Sequence, residues 1–406
     1  SGVARISKGA LTIMSKPILV LNCGSSSIKY QMIDVESEEL LAKGIVQRIA
    51  TGTTGTVDHE VLVGEIGEHH VDQLLDDHET ALATVFGLFD EHGPDLTSTI
   101  AVAHRAVHGG DKFADPTLVT DEVVDTLREL SPLAPLHNPA GISGIEAARK
   151  LLPDVPHVGI FDTAFFARLP AEAYTYAIDV DLAKRTRIRK YGFHGTSHQF
   201  VSQEVAKLLG RDDLKQIVCH LGNGASVSAV DSGHAIETSM GLTPLAGLVM
   251  GTRSGDIDPG IVGYLNRELG LSCAEIDDEL NKRSGMLGLT GHTDMRDVET
   301  AINAGDEQAR LGLDVYIHRL VFYIGGYAAL LGGLDALSFT AGVGENAATV
   351  RSEVCARLGV FGVKLDEEAN AQRSKQARII SAPDSSVAVL VVPTNEELAM
   401  VRQAAE

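Results

Sequence analysis

Several residue types and patterns are scarce in this 406-residue sequence, and each scarcity excludes a class of protein. Tryptophan is absent, and the four cysteines, Cys23, Cys219, Cys273 and Cys355, show no C-x-x-C spacing. This favours a reducing, cytoplasmic compartment over a disulfide framework or a zinc site. Lysine and arginine number 34 against 55 acidic residues, a net charge of −21 that argues against nucleic acid or an anionic membrane as the main partner.

Long apolar stretches are also missing. The longest one without a charge, from Leu320 to Leu334, contains four glycines and is shorter than the roughly 20 residues that a membrane-spanning helix needs. The basic start, SGVARISKGALTI, is followed by too short an apolar run for a signal peptide. We therefore expect residues 1–13 to be a disordered leader, with the folded protein beginning near Met14.

The rest of the composition, 44% hydrophobic and 22% charged, is typical of a folded protein long enough for two domains. An internal repeat supports two domains. The segments LVLNCGSSSIKYQMIDV (19–35) and IVCHLGNGASVSAVD (217–231) share a buried strand, a polar glycine turn and a second strand. We expect two similar domains that face each other across a cleft.

Periodicity and turn residues predict further elements. Helices are expected over 70–92, 121–130, 138–152 and 196–210, through much of 294–332, and from about 346 and 395 onwards. Apolar strands are expected over 157–163, 336–341 and 387–392.

Both repeat turns are candidate phosphate sites, because small residues let backbone N–H groups approach anionic oxygens and serine hydroxyls add donors. Neither is a Walker loop, since the sequence has no Gly-Lys dipeptide. A plain hairpin turn is the alternative interpretation of each. A third glycine segment, GVGENA (342–347), matches a dinucleotide fingerprint but lies too near the C-terminus for the remaining strands of a nicotinamide-binding domain. We interpret it as a glycine turn for a nucleotide's base or sugar.

Two histidine pairs, His104 with His108 and His194 with His198, are spaced by four residues. Neither contains the glutamate of H-E-x-x-H, which favours catalytic or packing histidines over zinc ligands.

Four charged residues lie in predicted bends or at the ends of predicted strands and helices, where proteins often bind anions or cations. Arg105 and Arg253 lie beside glycine-rich bends, which suits them to hold phosphate or carboxylate. Asp162 follows a strand and Glu396 begins the final helix, where each could hold Mg²⁺ or act as a cap. Together with the two turns, these residues predict phosphoryl transfer.

Nine segments, in order along everything after Met14, resemble the acetate kinase family. They are NCGSSSIK (22–29), HRAVHGG (104–110), PLHNP (135–139), FDTAF (161–165), YGFHGTSH (191–198), HLGNGAS (220–226), SMGLTPLAGLVMGTRSGDIDPG (239–260), FTAGVGEN (339–346) and PTNEE (393–397). The resemblance implies an α/β fold of two duplicated ribonuclease-H-like domains, whose mixed sheets face an active-site cleft as in actin and the sugar kinases. Domain I would comprise residues 14–163 plus 388–406, and the nucleotide-binding domain II residues 164–387. A homodimer is also implied.

The same resemblance implies a reversible, direct transfer of the γ-phosphoryl group from ATP to acetate, giving acetyl phosphate and ADP. Mg²⁺, with Mn²⁺ as an alternative, would be held by Asn22, Asp162 and Glu396. Arg105, Arg253 and His194 would bind the substrates and the migrating phosphoryl group. Val107, Leu136, Phe193 and Pro244 would enclose the acetate methyl group. Nucleotide contacts would come from Ser25, Ser27, Lys29, His220, Gly222, Asn223, Gly224, Asp294, Met295, Arg296, Gly342, Gly344, Glu345 and Asn346; Met295 stands where the family often has Phe.

Three alternatives remain at this point. A propionate or butyrate kinase differs only in pocket volume, since one methylene changes binding by about 1–3 kcal/mol. A non-enzymatic, ATP-switched binding protein of the same fold would lack the paired Arg105 and Arg253. A nicotinamide dehydrogenase would rest on the glycine segment at 342 alone.

Overall fold

A computed structural model describes residues 15–406 and contains two mixed β-sheets. The predicted leader over residues 1–13 lies outside the described residues. No helix in the described part of the chain is both long and apolar enough to cross a membrane.

The first sheet has eight strands in the order β5-β4-β3-β2-β1-β6-β8-β7. Strands β1, β6 and β8 run parallel, and the others pair antiparallel. Their bounds are β1 (Pro17–Cys23), β2 (Ser27–Asp34), β3 (Leu40–Gln47), β4 (Thr54–Val61), β5 (Gly67–Leu74), β6 (Ala101–Ala106), β7 (Thr117–Leu118) and β8 (His157–Phe161).

The second sheet has six strands in the order β11-β10-β9-β12-β14-β13. They are β9 (Lys215–Leu221), β10 (Ala225–Asp231), β11 (His234–Thr238), β12 (Ala336–Thr340), β13 (Arg378–Ile379) and β14 (Ala388–Val391). Strands β9, β12 and β14 are parallel, so the order β11-β10-β9-β12-β14 repeats β3-β2-β1-β6-β8 of the first sheet. This confirms the predicted duplication and the fold class.

Fifteen α-helices cover the sheets in the described part of the chain. They are α1 (His78–His92), α2 (Asp121–Leu130), α3 (Asn138–Leu151), α4 (Ala171–Tyr174), α5 (Val180–Thr186), α6 (Gly195–Leu209), α7 (Gly260–Leu269), α8 (Cys273–Lys282), α9 (Gly285–Thr290), α10 (Met295–Asn303), α11 (Glu307–Leu331), α12 (Ala341–Asn346), α13 (Ala348–Ala356), α14 (Glu367–Ala371) and α15 (Glu396–Ala405). Short 3₁₀ helices lie at Leu96–Ser98, Ser131–Leu133, Ala164–Phe166 and Gly359–Phe361.

Each sheet has its own core. In the first, strand residues such as Leu19 and Ile28 pack against Phe86 and Phe89 of α1. In the second, the long helix α11 lays its buried stripe, which includes Ile317, across β9 and β10. Helices α6 and α15 pack against each other, α15 also covering β1, β6 and β8. These two helices therefore join the halves beside the cleft.

The structure corrects three predictions. Residues 70–74 belong to edge strand β5 rather than to a helix, and α1 begins only after Asp77, whose carboxylate accepts from the backbone N–H of Thr80 at 2.7 Å. Strand β5 is polar and mostly exposed. Its sequence therefore lacks the alternating apolar residues that would have indicated a strand. The predicted turn at GVGEN is the helical turn α12.

The third correction concerns the final strand. We expected it in domain I, but β14 pairs in parallel with β12 inside the second sheet, and only α15 returns to the first. The pairing follows from the apolar residues of β14, which fill the core of the second sheet. The exact domain boundaries stay a prediction.

Candidate active site

The carboxyl ends of parallel strands gather four of the predicted residues at one edge of the first sheet. Asn22 lies near the end of β1, Arg105 near that of β6 and Asp162 directly after β8, while Glu396 begins α15 above them. Because parallel strands end at the same edge, side chains from distant parts of the sequence meet there. Asn22, Arg105 and Glu396 line one cavity of about 600 Å³ together with Lys29.

Arg105 and Asp162 form a two-pronged ion pair. Nε of Arg105 donates to Oδ1 of Asp162 at 3.0 Å, and Nη2 donates to Oδ2 at 2.7 Å. The Asp162 side chain is only 5% exposed, and its charge raises the pKa of Arg105. The pair fixes the plane of the guanidinium and leaves Nη1 available for a substrate anion.

Glu396 is a carboxyl group that burial has made less acidic. Burial raises the pKa of Glu396 to about 7, with a further increase from Asp162 and an opposing effect of Arg105. Glu396 is held at the start of α15, where Asn395 caps the helix by accepting from Leu398 N–H at 3.0 Å.

The chemistry of this donor set fits Mg²⁺. Asn22, Asp162 and Glu396 offer amide and carboxylate oxygens, which a hard cation prefers. Residues 15–406 contain no cluster of three or more His, Cys, Asp or Glu side chains suited to a metal. A cation here would therefore complete its shell with water and phosphate oxygens, as Mg²⁺ usually does.

The first predicted phosphate turn follows β1 directly. Gly24 N–H donates to Ser27 C=O at 2.8 Å and closes the turn, while Ser25 and Lys29 are exposed. His78, which the sequence did not indicate, holds the turn through a 2.7 Å hydrogen bond from Nε2 to the Gly24 carbonyl oxygen.

The second turn brings together His194, Gly224 and Arg253. A β-carbon on Gly224 would lie 3.5 Å from Nε2 of His194 and from Nη1 of Arg253, so both groups face the turn. Gly222 similarly approaches Ala341, and Asn223 C=O accepts from Gly251 N–H at 2.9 Å. The predicted nucleotide turn therefore packs against the loop that contains Gly251 and Arg253.

Arg253 is half-buried, and no carboxylate of residues 15–406 forms an ion pair with it. Nη1 donates to the Pro244 carbonyl at 3.1 Å, and burial lowers the pKa of Arg253. A guanidinium in this position attracts an anion from solution.

His194 occupies a strained position at the start of α6. Its backbone φ is +59°, which is uncommon outside glycine and is frequent at functional sites. Its ring stacks on His220 with centroids 4.2 Å apart. Burial, then the neighbouring His220, lowers the pKa of His194 well below its usual value, so the imidazole is neutral.

The third glycine segment forms α12 at the edge of the same cleft. Ala341 has φ +66°, and a β-carbon on Gly342 would meet no atom within 4 Å, which leaves open space for a ligand. Burial raises the pKa of Glu345, and Asn346 Nδ2 donates to Gly342 C=O at 2.9 Å. Gly344 packs against the backbone of β12.

The 294–296 segment divides into exposed and buried residues. Asp294 and Arg296 form an exposed ion pair at 2.7 Å, and hydrogen bonds from Arg296 lower the pKa of Asp294 to about 2. Met295 instead lies in the core with 6% exposure. Its side chain packs in the core, and a nucleotide contact of Met295 stays a prediction.

The four residues of the predicted acid pocket differ in burial and contacts. Phe193 is buried, Val107 packs against the same core, and Pro244 is tied to Arg253. Leu136 is 78% exposed, and its part in a closed pocket stays a prediction.

Sequence reasoning missed His137, the neighbour of Leu136. It lines a small cavity with Arg105 and Val107, and burial, then the charge of Arg105, lowers the pKa of His137. The PLHNP segment that contains it was the available signal.

Fold and site together have the arrangement expected of a two-sheet kinase, with a candidate phosphate turn on each half. A model of the acetokinase family matches residues 17–402. The chain belongs to the acetokinase family.

Individual relatives agree over nearly the whole chain. The acetate kinase of Leifsonia xyli is 56% identical over 391 residues, which cover 95% of this chain and 98% of that protein. A crystal structure of Porphyromonas gingivalis acetate kinase has a TM-score of 0.90 at 40% identity and covers 95% and 98% of the two chains. A propionate kinase from Francisella tularensis has a TM-score of 0.86 at 39% identity and covers 96% and 98%.

Proposed function

We propose that this protein transfers the γ-phosphoryl group of ATP to acetate, giving acetyl phosphate and ADP, and that it also catalyses the reverse reaction. The observation that carries the proposal is the pair of cleft arginines, of which Arg105 is oriented by Asp162 while Arg253 has no ion-pair partner in the described chain. Two anions must approach each other in this reaction, and the two guanidinium groups supply the required positive charge.

The residues have separable tasks. The acetate carboxylate is itself the nucleophile, so the reaction needs no general base. Arg105 and Arg253 would hold the carboxylate and the transferring group in line, and neutral His194 would donate a hydrogen bond from Nε2 to a phosphoryl oxygen. Mg²⁺, held by Asn22, Asp162 and Glu396 with its waters, would neutralise phosphate charge when bound.

The nucleotide would lie along the second half. The turn of His220, Gly222, Asn223 and Gly224 would face the phosphates, and the open space at Gly342 on α12, near Glu345, would receive the base and sugar. Ser25, Ser27 and Lys29 would contact the terminal phosphate from the first half.

A hydroxamate assay tests the proposal directly. Purified protein with ATP and Mg²⁺ is offered formate, acetate, propionate and butyrate, and acyl phosphate is trapped with hydroxylamine. We expect the highest kcat/KM with acetate. A higher value for propionate would reassign the substrate, and no acyl hydroxamate with any acid would refute the carboxylate acceptor.

We also infer a homodimer. The long helix α11 leaves Phe322 73% exposed and Leu330 62% exposed, large apolar groups that a second copy could cover. Light scattering after size exclusion should give twice the chain mass, and Phe322→Glu should shift it towards the monomer. A monomeric wild-type protein at micromolar concentration would contradict this inference.

A further inference from the structure

A chain of buried side chains runs from the cleft into the second sheet. Nδ1 of His194 lies 2.8 Å from Oγ of Ser226, and Nε2 of His198 lies 2.7 Å from the same oxygen. Nδ1 of His198 then lies 2.6 Å from Oγ of Ser228. Ser226, His198 and Ser228 are fully buried. We call these four residues the serine–histidine chain.

The chain has a preferred direction. If Ser228 O–H donates to His198 Nδ1, then His198 Nε2–H donates to Ser226, and Ser226 O–H donates to His194 Nδ1. Every O–H and N–H group inside the serine–histidine chain then donates a hydrogen bond. In the reverse direction the hydrogen of Ser228 has no acceptor among the hydrogen bonds of the described residues, and a buried donor without a partner is costly.

The direction decides which nitrogen of His194 faces the substrate as a donor. With Nδ1 accepting from Ser226, the single proton of the neutral ring must be on Nε2. That nitrogen points at the Gly224 turn beside Arg253. The opposite tautomer would present a lone pair to a phosphoryl oxygen and repel it.

We propose that Ser226, His198 and Ser228 are positioning residues that fix His194 as its Nε2–H tautomer, ready to donate to the transferring phosphoryl group. This inference rests on the proposed function only for the identity of the acceptor. The serine–histidine chain transfers no proton. It determines which ring nitrogen of His194 carries its proton. Burial lowers the pKa of both His194 and His198 well below the usual value, which keeps both rings neutral as the chain requires.

Nitrogen NMR and kinetics test the proposal together. Two-bond ¹H–¹⁵N spectra of the substrate-free protein report each histidine tautomer, and His194→Gln identifies the signals of His194. We expect Nε2–H in the wild type and loss of that preference in Ser226→Ala and Ser228→Ala. Both variants should lose at least about tenfold in kcat, with KM for acetate and ATP changing less than about twofold.

Ser338→Ala is the matched control. Ser338 is a buried serine on β12 of the same sheet, separated from β10 by β9, and its hydroxyl has no partner among the described residues. This variant should keep both the tautomer and kcat. The melting temperature of each variant separates a folding defect from a changed tautomer.

Several outcomes would overturn the proposal. An Nδ1–H tautomer in the wild type would do so even if the variants fail to fold. Wild-type kcat in folded Ser226→Ala and Ser228→Ala would also do so. Failure of the proposed function looks different, because the wild type would then make no acetyl phosphate while the NMR spectra still report the tautomer of His194.

Discussion

At the scale of single residues, the two cleft arginines differ in how their charge is balanced. Arg105 has a fixed counter-ion in Asp162, so its orientation exists before substrate arrives. Among residues 15–406, the Arg253 side chain donates to neutral groups, the Pro244 carbonyl and the Met250 sulfur. An unbalanced, half-buried cation is unfavourable in the free protein and becomes favourable when an anion binds.

Arg253→Ala should therefore lower kcat by about 10³-fold or more without lowering the melting temperature by more than a few degrees, because the substitution removes a desolvated charge. Arg253→Lys should recover little, since the planar fork is lost. Arg373→Ala, at an exposed position, is the control. If Arg253 only fixed its loop, the melting temperature would fall while kcat changed less than about tenfold.

Val107 provides a second test at this scale. Shortening it to alanine enlarges the acid pocket by two methyl groups, and we expect kcat/KM for propionate to rise relative to acetate, within the about 10–200-fold that a methylene allows. Val158→Ala, a half-buried change on the adjacent strand β8, should leave the ratio unchanged. An unaltered ratio in Val107→Ala would remove Val107 from the pocket.

Two buried histidines away from the cleft give the protein a predicted acid sensitivity. His157 donates from Nε2 to Leu152 C=O at 2.8 Å, so its Nδ1 accepts from His104 Nε2–H at 2.9 Å. Burial lowers the pKa of His104 to about 3. The unfolded value is about 6.5, so the neutral ring's stability contribution is complete above that pH and is lost as the pH falls.

From pH 7 to pH 5, His104 alone should reduce the free energy of unfolding by about 2 kcal/mol. Urea titrations at the two pH values should show a smaller difference for His104→Asn than for the wild type. Comparing differences cancels the fixed cost of the substitution, and His234→Asn, at an exposed position, serves as control. Equal differences for all three proteins would contradict the assignment.

At the scale of elements, the short helix α12 depends on a residue outside it. The guanidinium of Arg351 on α13 is buried and donates to the carbonyls of Gly344 and Glu345 at 2.9 and 3.0 Å. It also donates to Asn370. These bonds satisfy carbonyl groups at the end of α12 that a six-residue helix leaves without partners.

Replacing Arg351 with methionine should strip those carbonyls of donors. We expect a loss of about 2–4 kcal/mol in the free energy of unfolding. In the protein that remains folded, KM should rise more for ATP than for acetate. Arg357→Met, on an exposed position at the end of α13, should change neither quantity. An equal rise in both KM values would mean that α12 does not serve the nucleotide.

Elements with strong local signals were predictable from the sequence. Helix α2 matches its predicted bounds because Thr120 caps it and its apolar residues follow one face. The repeat predicted both hairpins, since each has its own turn. Edge strand β5 and the buried Arg351 could not be recognised, because exposure and long-range hydrogen bonds depend on partners distant in sequence. Ser226 and His137 were missed for the same reason.

At the scale of the whole molecule, α15 connects the halves. Arg402 pairs with Glu38, between β2 and β3, at 2.7 Å, and with Glu204 on α6 at 2.9 Å. The same helix carries Glu396 into the cleft at its other end. A relative movement of the halves that displaces α15 would therefore change the position of Glu396.

We expect the halves to close around substrate, because candidate ligand groups come from both and a mixed anhydride must be shielded from water. Small-angle X-ray scattering should show a smaller radius of gyration with ADP, acetate, Mg²⁺ and a planar phosphoryl mimic than with ADP alone. A radius that is unchanged by the full mixture would contradict closure of the halves around substrate.

The path of the chain through α15 also has a consequence for biosynthesis. Every strand of both sheets precedes this helix in the sequence, yet the helix covers β1, β6 and β8 and delivers Glu396. A nascent chain on the ribosome can thus form both sheets while the first still exposes an apolar face and the cleft lacks a carboxylate. A chain that has not yet formed α15 would be inactive, and contact with a chaperone at that uncovered face would be most useful before this helix docks.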